Sequence, residues 1–452
     1  MNFIYCKVWS AALGTWVVAS ELARGGKKTS RRTSAGLAPI VVMISLVAAS
    51  TAHAQRRCDL YNGVVDDDNG GAILGGANSF ACGTNAQAGD VAATAFGDTS
   101  KALGGNSSAF GYLSTADGLR ATALGNDARA TNDGASAVGT NSRASGLNAT
   151  ALGRQANAAG AGALALGSND DAAISGGASA AGANSIAVGG LSSVTASSVS
   201  GIAVGRGSSV TGTYGIAQGD AAVAGSYGFA GGRRASAGGT GAVAVGANAT
   251  AGANAAATDS VAIGAQSSVV AAASSGIAFG RGAIVNGAFG IAQGDGVVSG
   301  ATGRNVAIGS TGTTANGGTA AGGAVAIGRG QTATGNGAVA IGDPNSAIGT
   351  GAVALGADNT ANGQGAIAQG NANNANGQGA IALGNANAAT GQGAIALGSA
   401  SSAGAAGAVA LGDGASANIA RSVALGSGST TAAAVGTAST TIRGATYNFA
   451  GT

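Results

Sequence analysis

The chain has 452 residues, of which 86 are glycine and 2 proline; 9% are charged and 4% aromatic. A conventional globular core needs large apolar side chains, each contributing roughly 1.5–3 kcal/mol when buried, and here most of the hydrophobic fraction is alanine; collagen is excluded too, because glycine falls far short of every third residue. The formal charge of +3 gives no case for nucleic-acid binding, since six basic residues and the only glutamate, Glu21, lie in an N-terminal leader, leaving 15 basic and 17 acidic groups.

That leader spans residues 1–54. Lys27, Lys28, Arg31 and Arg32 form a basic region, and Leu37 to Ala49 is apolar but short for a bilayer span of roughly 20 residues. Ala52-His53-Ala54 supplies a small-x-small cleavage signal, which places the mature start near Gln55. Ahead of this complete signal stands a further block: Asn2, Ile4, Tyr5 and Trp9, then Gly14-Thr15-Trp16-Val17-Val18-Ala19-Ser20-Glu21-Leu22-Ala23-Arg24. It resembles the extended signal peptide region of large autotransporters, which implies export through the inner membrane of a Gram-negative cell.

Residues 55–82 read as an N-terminal cap segment. Cys6 leaves with the leader, so Cys58 and Cys82 are the only mature cysteines, in an oxidising compartment. Cys82 occupies the repeat position later filled by Phe96 and Phe110, expected to be interior. An intrachain disulfide there would pin the segment over an open first coil; free thiols and interchain bonds are the alternatives. Asp66-Asp67-Asp68-Asn69-Gly70 lacks the alternating ligands and distal acid of a calcium loop and reads as a solvated turn.

From 83 to 436 a pentapeptide, A-[IVL]-A-[LIVF]-G or a near variant, recurs. Its closing glycines fall fourteen residues apart from Gly97 to Gly167 and again from Gly328 to Gly426. The spacing loosens across Gly167 to Gly189 and Gly309 to Gly328, where loop insertions are expected. Residues 196–225 align without gaps to 271–300, a duplication of several coils at once. Within each repeat the residues alternate with period 2, and glycines punctuate the ends. Two short strands and two tight turns per fourteen residues make one coil of a parallel β-roll. About two dozen coils stacked roughly 4.8 Å apart give a rod on the order of 110 Å long, and equivalent asparagines such as Asn371 and Asn385 are expected to form ladders.

Alternation also predicts two faces. Ile381, Leu383, Ile395, Leu397, Val409 and Leu411 are the expected lining of the roll. Ala340, Ala354, Ala368, Ala382, Ala396, Ala410 and Ala424 form the opposite stripe, expected at a boundary between chains because a strand facing water normally presents polar residues. These residues cannot by themselves say how many chains meet. The repeat resembles the head repeat of YadA-like trimeric autotransporter adhesins, and this resemblance implies an all-β, left-handed parallel β-roll (β-solenoid) in a homotrimeric head. Residues 437–452 look like the start of a head-to-neck connector. No heptads and no run of amphipathic strands follow, so the stalk and membrane anchor of that family are expected to be missing from the C-terminal end.

Chemistry is sparse. The mature chain has no histidine and no glutamate, so no Ser/His/Asp, Cys/His or zinc arrangement can be assembled. No enzymatic activity, cofactor, metal or nucleic-acid partner is expected. Gln218, Gln293 and Gln369 replace an aliphatic residue in G-I-A-Q-G and are expected to bond to turn backbone, with an axial polar layer as the alternative. Arg206 and Arg281 follow the pentapeptide in both copies of the duplication and read as turn charges rather than ligand contacts. The resemblance implies a cell-surface adhesin whose partners are itself, as a homotrimer, and host extracellular-matrix proteins or cell-surface receptors; it also implies autoagglutination and outer-membrane display. A structural spacer rod is the alternative.

Overall fold

The computed structural model describes residues 5–10, 15–20, 58–60, 72–168, 176–318 and 322–449, and the chain divides into two units, Met1–Ala54 and Gln55–Thr452. In the first, strand Tyr5–Ser10 pairs antiparallel with Thr15–Ser20, which sets Trp9 opposite Trp16. The second is a parallel β-solenoid of about 14-residue coils, roughly 24 in number.

Each coil contributes a longer strand A, such as Val409–Leu411, and a shorter strand B, such as Ser416–Ala417. Strand A pairs in parallel with strand A of the next coil, so the register climbs from Ile381 to Ile395, Val409 and Val423. Strand B does the same, as from Ala389 to Ala403 and Ala417. The ladder survives the irregular spacings: Leu164 pairs with Ile186 and Val306 with Val325. Turns between strands place a residue in the left-handed region every half coil, for example Asn141, Asn148 and Gln155 at φ 54–59°. Asparagine tolerates that conformation better than most residues. The closing glycines have a second reason. Gly384 has φ 121°, and a Cβ on it would stand 2.0 Å from the Gly398 carbonyl oxygen of the next coil.

Sidedness is the main correction to the sequence expectations. Alternation in strand A is present, but alanine points in and the aliphatic residues point out. Ala340, Ala354, Ala368, Ala382, Ala396 and Ala410 are 0% exposed and Ala424 2% exposed within a single chain. They therefore cannot form a boundary with another chain. Ile381, Leu383, Ile395, Val409 and Leu411 are only half-buried, and Leu397 is 45% exposed. The cause is the width of the roll. Seven residues suffice for a strand and its turn, so strands A and B close on each other at a separation only small side chains can fill. The coil beginning at Ala121 shows the full set of inward positions, Ala121, Ala123, Ala128 and Ala130, all fully buried.

Deviations from alanine inside the roll are compensated. Val194, Val210, Val269 and Val285 fill the strand B position and are buried. Gly201, Gly215, Gly276 and Gly290 stand against them: a Cβ on Gly276 would lie 2.9 Å from a γ-methyl of both Val269 and Val285. Each valine thus occupies space that a missing glycine side chain vacates. The interior keeps its volume, as close packing requires.

A second departure is polar. Gln331, Asn345, Asn359, Asn373, Asn387 and Ser401 occupy one inward column and are buried. Asn359 Nδ2 donates to Asn345 Oδ1 at 2.9 Å and to the Leu355 and Gly370 carbonyls at 3.0 and 2.7 Å. Its own Oδ1 accepts from the Asn373 backbone N–H and Nδ2, each at 3.0 Å. The column ends where Ser401 Oγ donates to Asn387 Oδ1. The expected asparagine ladder thus exists, but in a different column: Asn371 and Asn385 pair in register yet are exposed. Asn359→Leu should cost about 3 kcal/mol in chemical denaturation, because it strands buried partners on both neighbouring rungs. Asn385→Leu, on the surface, should change stability by less than about 0.5 kcal/mol.

Both ends differ from the repeat. Cys58–Leu60 pairs antiparallel with Phe80–Cys82, covering the outer edge of the first strand A, with Cys58 in register with Cys82. Cys82 is disulfide-bonded. It pairs in register with Phe96, so it belongs to the outward row rather than the interior; Phe96 and Phe110 are 48% and 37% exposed. The acidic run Asp66–Asp68 lies outside the described residues. At the other end Ser439–Ile442 and Ala445–Asn448 form an antiparallel hairpin, mostly exposed.

Candidate functional site

With alanine consumed inside, the roll presents two contrasting outer faces. The strand A face carries the first and third residues of every strand A, two per coil. Its third position is predominantly aliphatic or aromatic, from Phe96 and Phe110 through Leu124, Leu152 and Leu166 to Leu397 and Leu425, and all of these are exposed. The first position is mostly Ser or Thr in the early coils and Val or Ile in the later ones. No charged residue occurs at either position in any described strand A. An uncharged apolar stripe of this extent is far larger than a soluble surface normally leaves open.

Gln218, Gln293 and Gln369 interrupt that stripe. All three occupy the third position and are exposed. They stand in register beside Val204, Phe279 and Leu355 of the preceding coils. Among the described residues none makes a side-chain hydrogen bond, so the expected bonding to turn backbone is not seen there. Their column is the outward one.

The strand B face is mostly polar, with Val223, Ile284 and Val298 among the exceptions. Its outward residues include Lys101, Arg129, Arg143, Asn157, Ser179, Ser193 and Ser209. Arg129 binds Asp127 at 2.9 Å. Partial burial pushes the Asp117 carboxyl above its ordinary pKa, against the opposing pull of Lys101 and Arg129. Asn141, Arg143, Gln155, Asn157 and Gly176 line an open depression of about 380 Å³. A second, of about 260 Å³, is lined in part by Thr332, Pro344, Ser346, Asp358 and Thr360. Both are shallow and lack a nucleophile–base pair. Among the described residues no cluster of three or more His, Cys, Asp or Glu could hold a metal ion.

Charges in the turns pair along the stack. Arg206 reaches Asp220 one coil on at 3.0 Å, Arg281 reaches Asp295 in the duplicated block, and Arg329 reaches Asp343 at 2.9 Å. Arg206 and Arg281 are thus members of exposed ion pairs, each worth at most about 1 kcal/mol. The pairing side chains were not evident from local sequence, although a charge of opposite sign fourteen residues away is its signal.

The repeat geometry matches a known design. The YadA head domain repeat recurs in successive matches between residues 75 and 169 and in overlapping ones from 333 to 429, and the Extended Signal Peptide of Type V secretion system matches residues 1–50. Trimeric autotransporter adhesin AtaA of Acinetobacter sp. (strain Tol 5) is 35% identical over 118 residues, which covers 20% of this chain and 3% of that one. The chain belongs to the YadA-like trimeric autotransporter adhesins. Its leader and family mark it for export and surface display. This adhesin chain therefore spans a small fraction of the length of the relative it matches, and the head-repeat matches fall on the first and last parts of its solenoid. The family is one of adhesins rather than enzymes.

Proposed function

We propose that the solenoid is the head of a surface adhesin, assembled from three chains that bury their strand A faces against one another and display their strand B faces outward. The carrying observation is the stripe: along about 24 coils the outward positions of strand A are mostly apolar, exposed or half-buried, with no charge among them in any described strand. Burying it among sister chains removes that area from water at roughly 25 cal/mol per Å². The polar strand B faces then become the outside of the rod. Attachment arises by repetition, because weak contacts offered many times along three parallel faces combine through effective concentration. Host matrix proteins, cell-surface receptors and the heads of neighbouring cells are the proposed targets.

Sedimentation of the purified chain, followed by binding to collagen-, fibronectin- and laminin-coated surfaces, tests the reading. A trimer retained on at least one surface is expected. A monomer, or a trimer that binds none of them and does not agglutinate cells displaying it, would count against an adhesive head. Adhesion that survives deletion of any block of internal coils would favour a spacer rod instead.

A further inference from the structure

A stripe built of near-identical rungs has a register problem. Sliding one chain past another by a single coil, about 4.8 Å, brings Leu397 to where Leu383 stood and changes almost nothing in the apolar contact. Hydrophobic contact is non-directional and cannot penalise such a slip. Something else must fix the register.

Gln218, Gln293 and Gln369 have the properties required. They are polar residues in an uncharged apolar column, outward-facing and exposed, and their side chains make no hydrogen bond among the described residues. They also fall at the tenth, fifteenth and twentieth strand A in chain order, counting from Phe80–Cys82. Slips of one to four coils therefore set every glutamine against a non-glutamine rung. Only the aligned register brings all three onto their counterparts.

We infer that these glutamines form three amide layers between chains, and that the layers lock the axial register of the assembly. This rests on the proposed packing of strand A faces. In each layer the Nε2 of one copy donates to the Oε1 of the next around the axis, closing a ring of hydrogen bonds that no slip of one to four coils offers and that a five-coil slip offers only twice instead of three times. A slip would bury amides against valine, leucine or phenylalanine with their donors and acceptors unmet. Such a layer gives up hydrophobic contact and gains specificity, as a lone polar residue does in a coiled-coil seam. Glutamine's partners here are second and third copies of this chain.

The test mixes two differently tagged chains during assembly. One is the native chain. The other carries the same glutamines in a scrambled order, Val204→Gln, Ile308→Gln and Ile341→Gln with Gln218→Val, Gln293→Ile and Gln369→Leu. Every substituted position is outward-facing, and no single slip aligns more than one layer between the two chains. The inference expects each chain to assemble by itself, and mixed assemblies recovered by sequential tag capture to fall at least about tenfold below random assortment. If the scrambled chain does not assemble alone, Gln218→Leu/Gln293→Leu/Gln369→Leu replaces it, with the same depletion expected against the native chain. Mixing at random frequency would overturn the glutamine layers while leaving association by strand A intact. A native chain that sediments as a monomer would remove both.

Discussion

Replacing Ala382 with leucine is expected to destabilise the solenoid by about 3 kcal/mol or more, whereas Leu383→Glu, one residue along, should leave each chain folded and prevent self-association. Ala382 is fully buried and sits between Ala368 and Ala396 in the ladder. A leucine there adds three carbons to a space bounded by strand B on one side and identical coils above and below. Those coils cannot separate without breaking the parallel ladder. The damage should stay near that coil, because a solenoid's stability is a sum of local and nearest-neighbour terms; a lowered denaturation midpoint with a reduced slope would show it. Leu383 faces outward and is half-buried in the lone chain. A glutamate there puts a charge into a face that has none, and a desolvated unpaired charge costs several kcal/mol. Circular dichroism should therefore be unchanged for Leu383→Glu while sedimentation shifts to the monomer. The opposite pattern, a tolerated Ala382→Leu and an unfolded Leu383→Glu, would mean that the two faces are exchanged.

The second large effect is a rescue. Gly276→Ala should cost about 1–3 kcal/mol, although glycine to alanine in an ordinary conformation usually stabilises by about 0.4–1 kcal/mol. Gly276 does not have a positive φ, so the penalty is steric: its new methyl would lie 2.9 Å from the Ala273 carbonyl oxygen and from stiff, branched side chains on both sides. Val269→Ala with Val285→Ala should cost a comparable amount by opening a void. Combining all three changes should recover part of the loss rather than add to it, because the new methyl takes up volume that both valines vacate, while Gly290 still faces the shortened side chain at position 285. Gly201 with Val194 and Val210 repeats this arrangement in the other copy of the duplication and should behave alike. Additive losses in the triple variant, measured by chemical denaturation, would show that the valines and glycines do not share one volume.

The fourteen-residue step, the parallel stacking of like strands and the export leader were all legible in the sequence. A repeated motif at fixed spacing forces like residues into register, and a signal peptide is a linear feature. The sequence also contains, less conspicuously, a seven-residue subperiod: Ala382 with Ala389, Ala396 with Ala403, and Ala410 with Ala417. Residues half a coil apart must face a common interior, and only alanine satisfies both strands. That pattern was the available clue to the correct inside.

Period-2 alternation by itself established that the strand has two unlike faces, together with the repeat and the family. It could not say which face turns inward, because alternation is symmetric under exchange of sides. The closed coil decided that, since two strands joined by turns a few residues long approach too closely for leucine or isoleucine between them. The same closure turned the asparagine column inward at Asn359 and left the glutamine column outside at Gln369, a distinction that exists only once the chain has come round on itself.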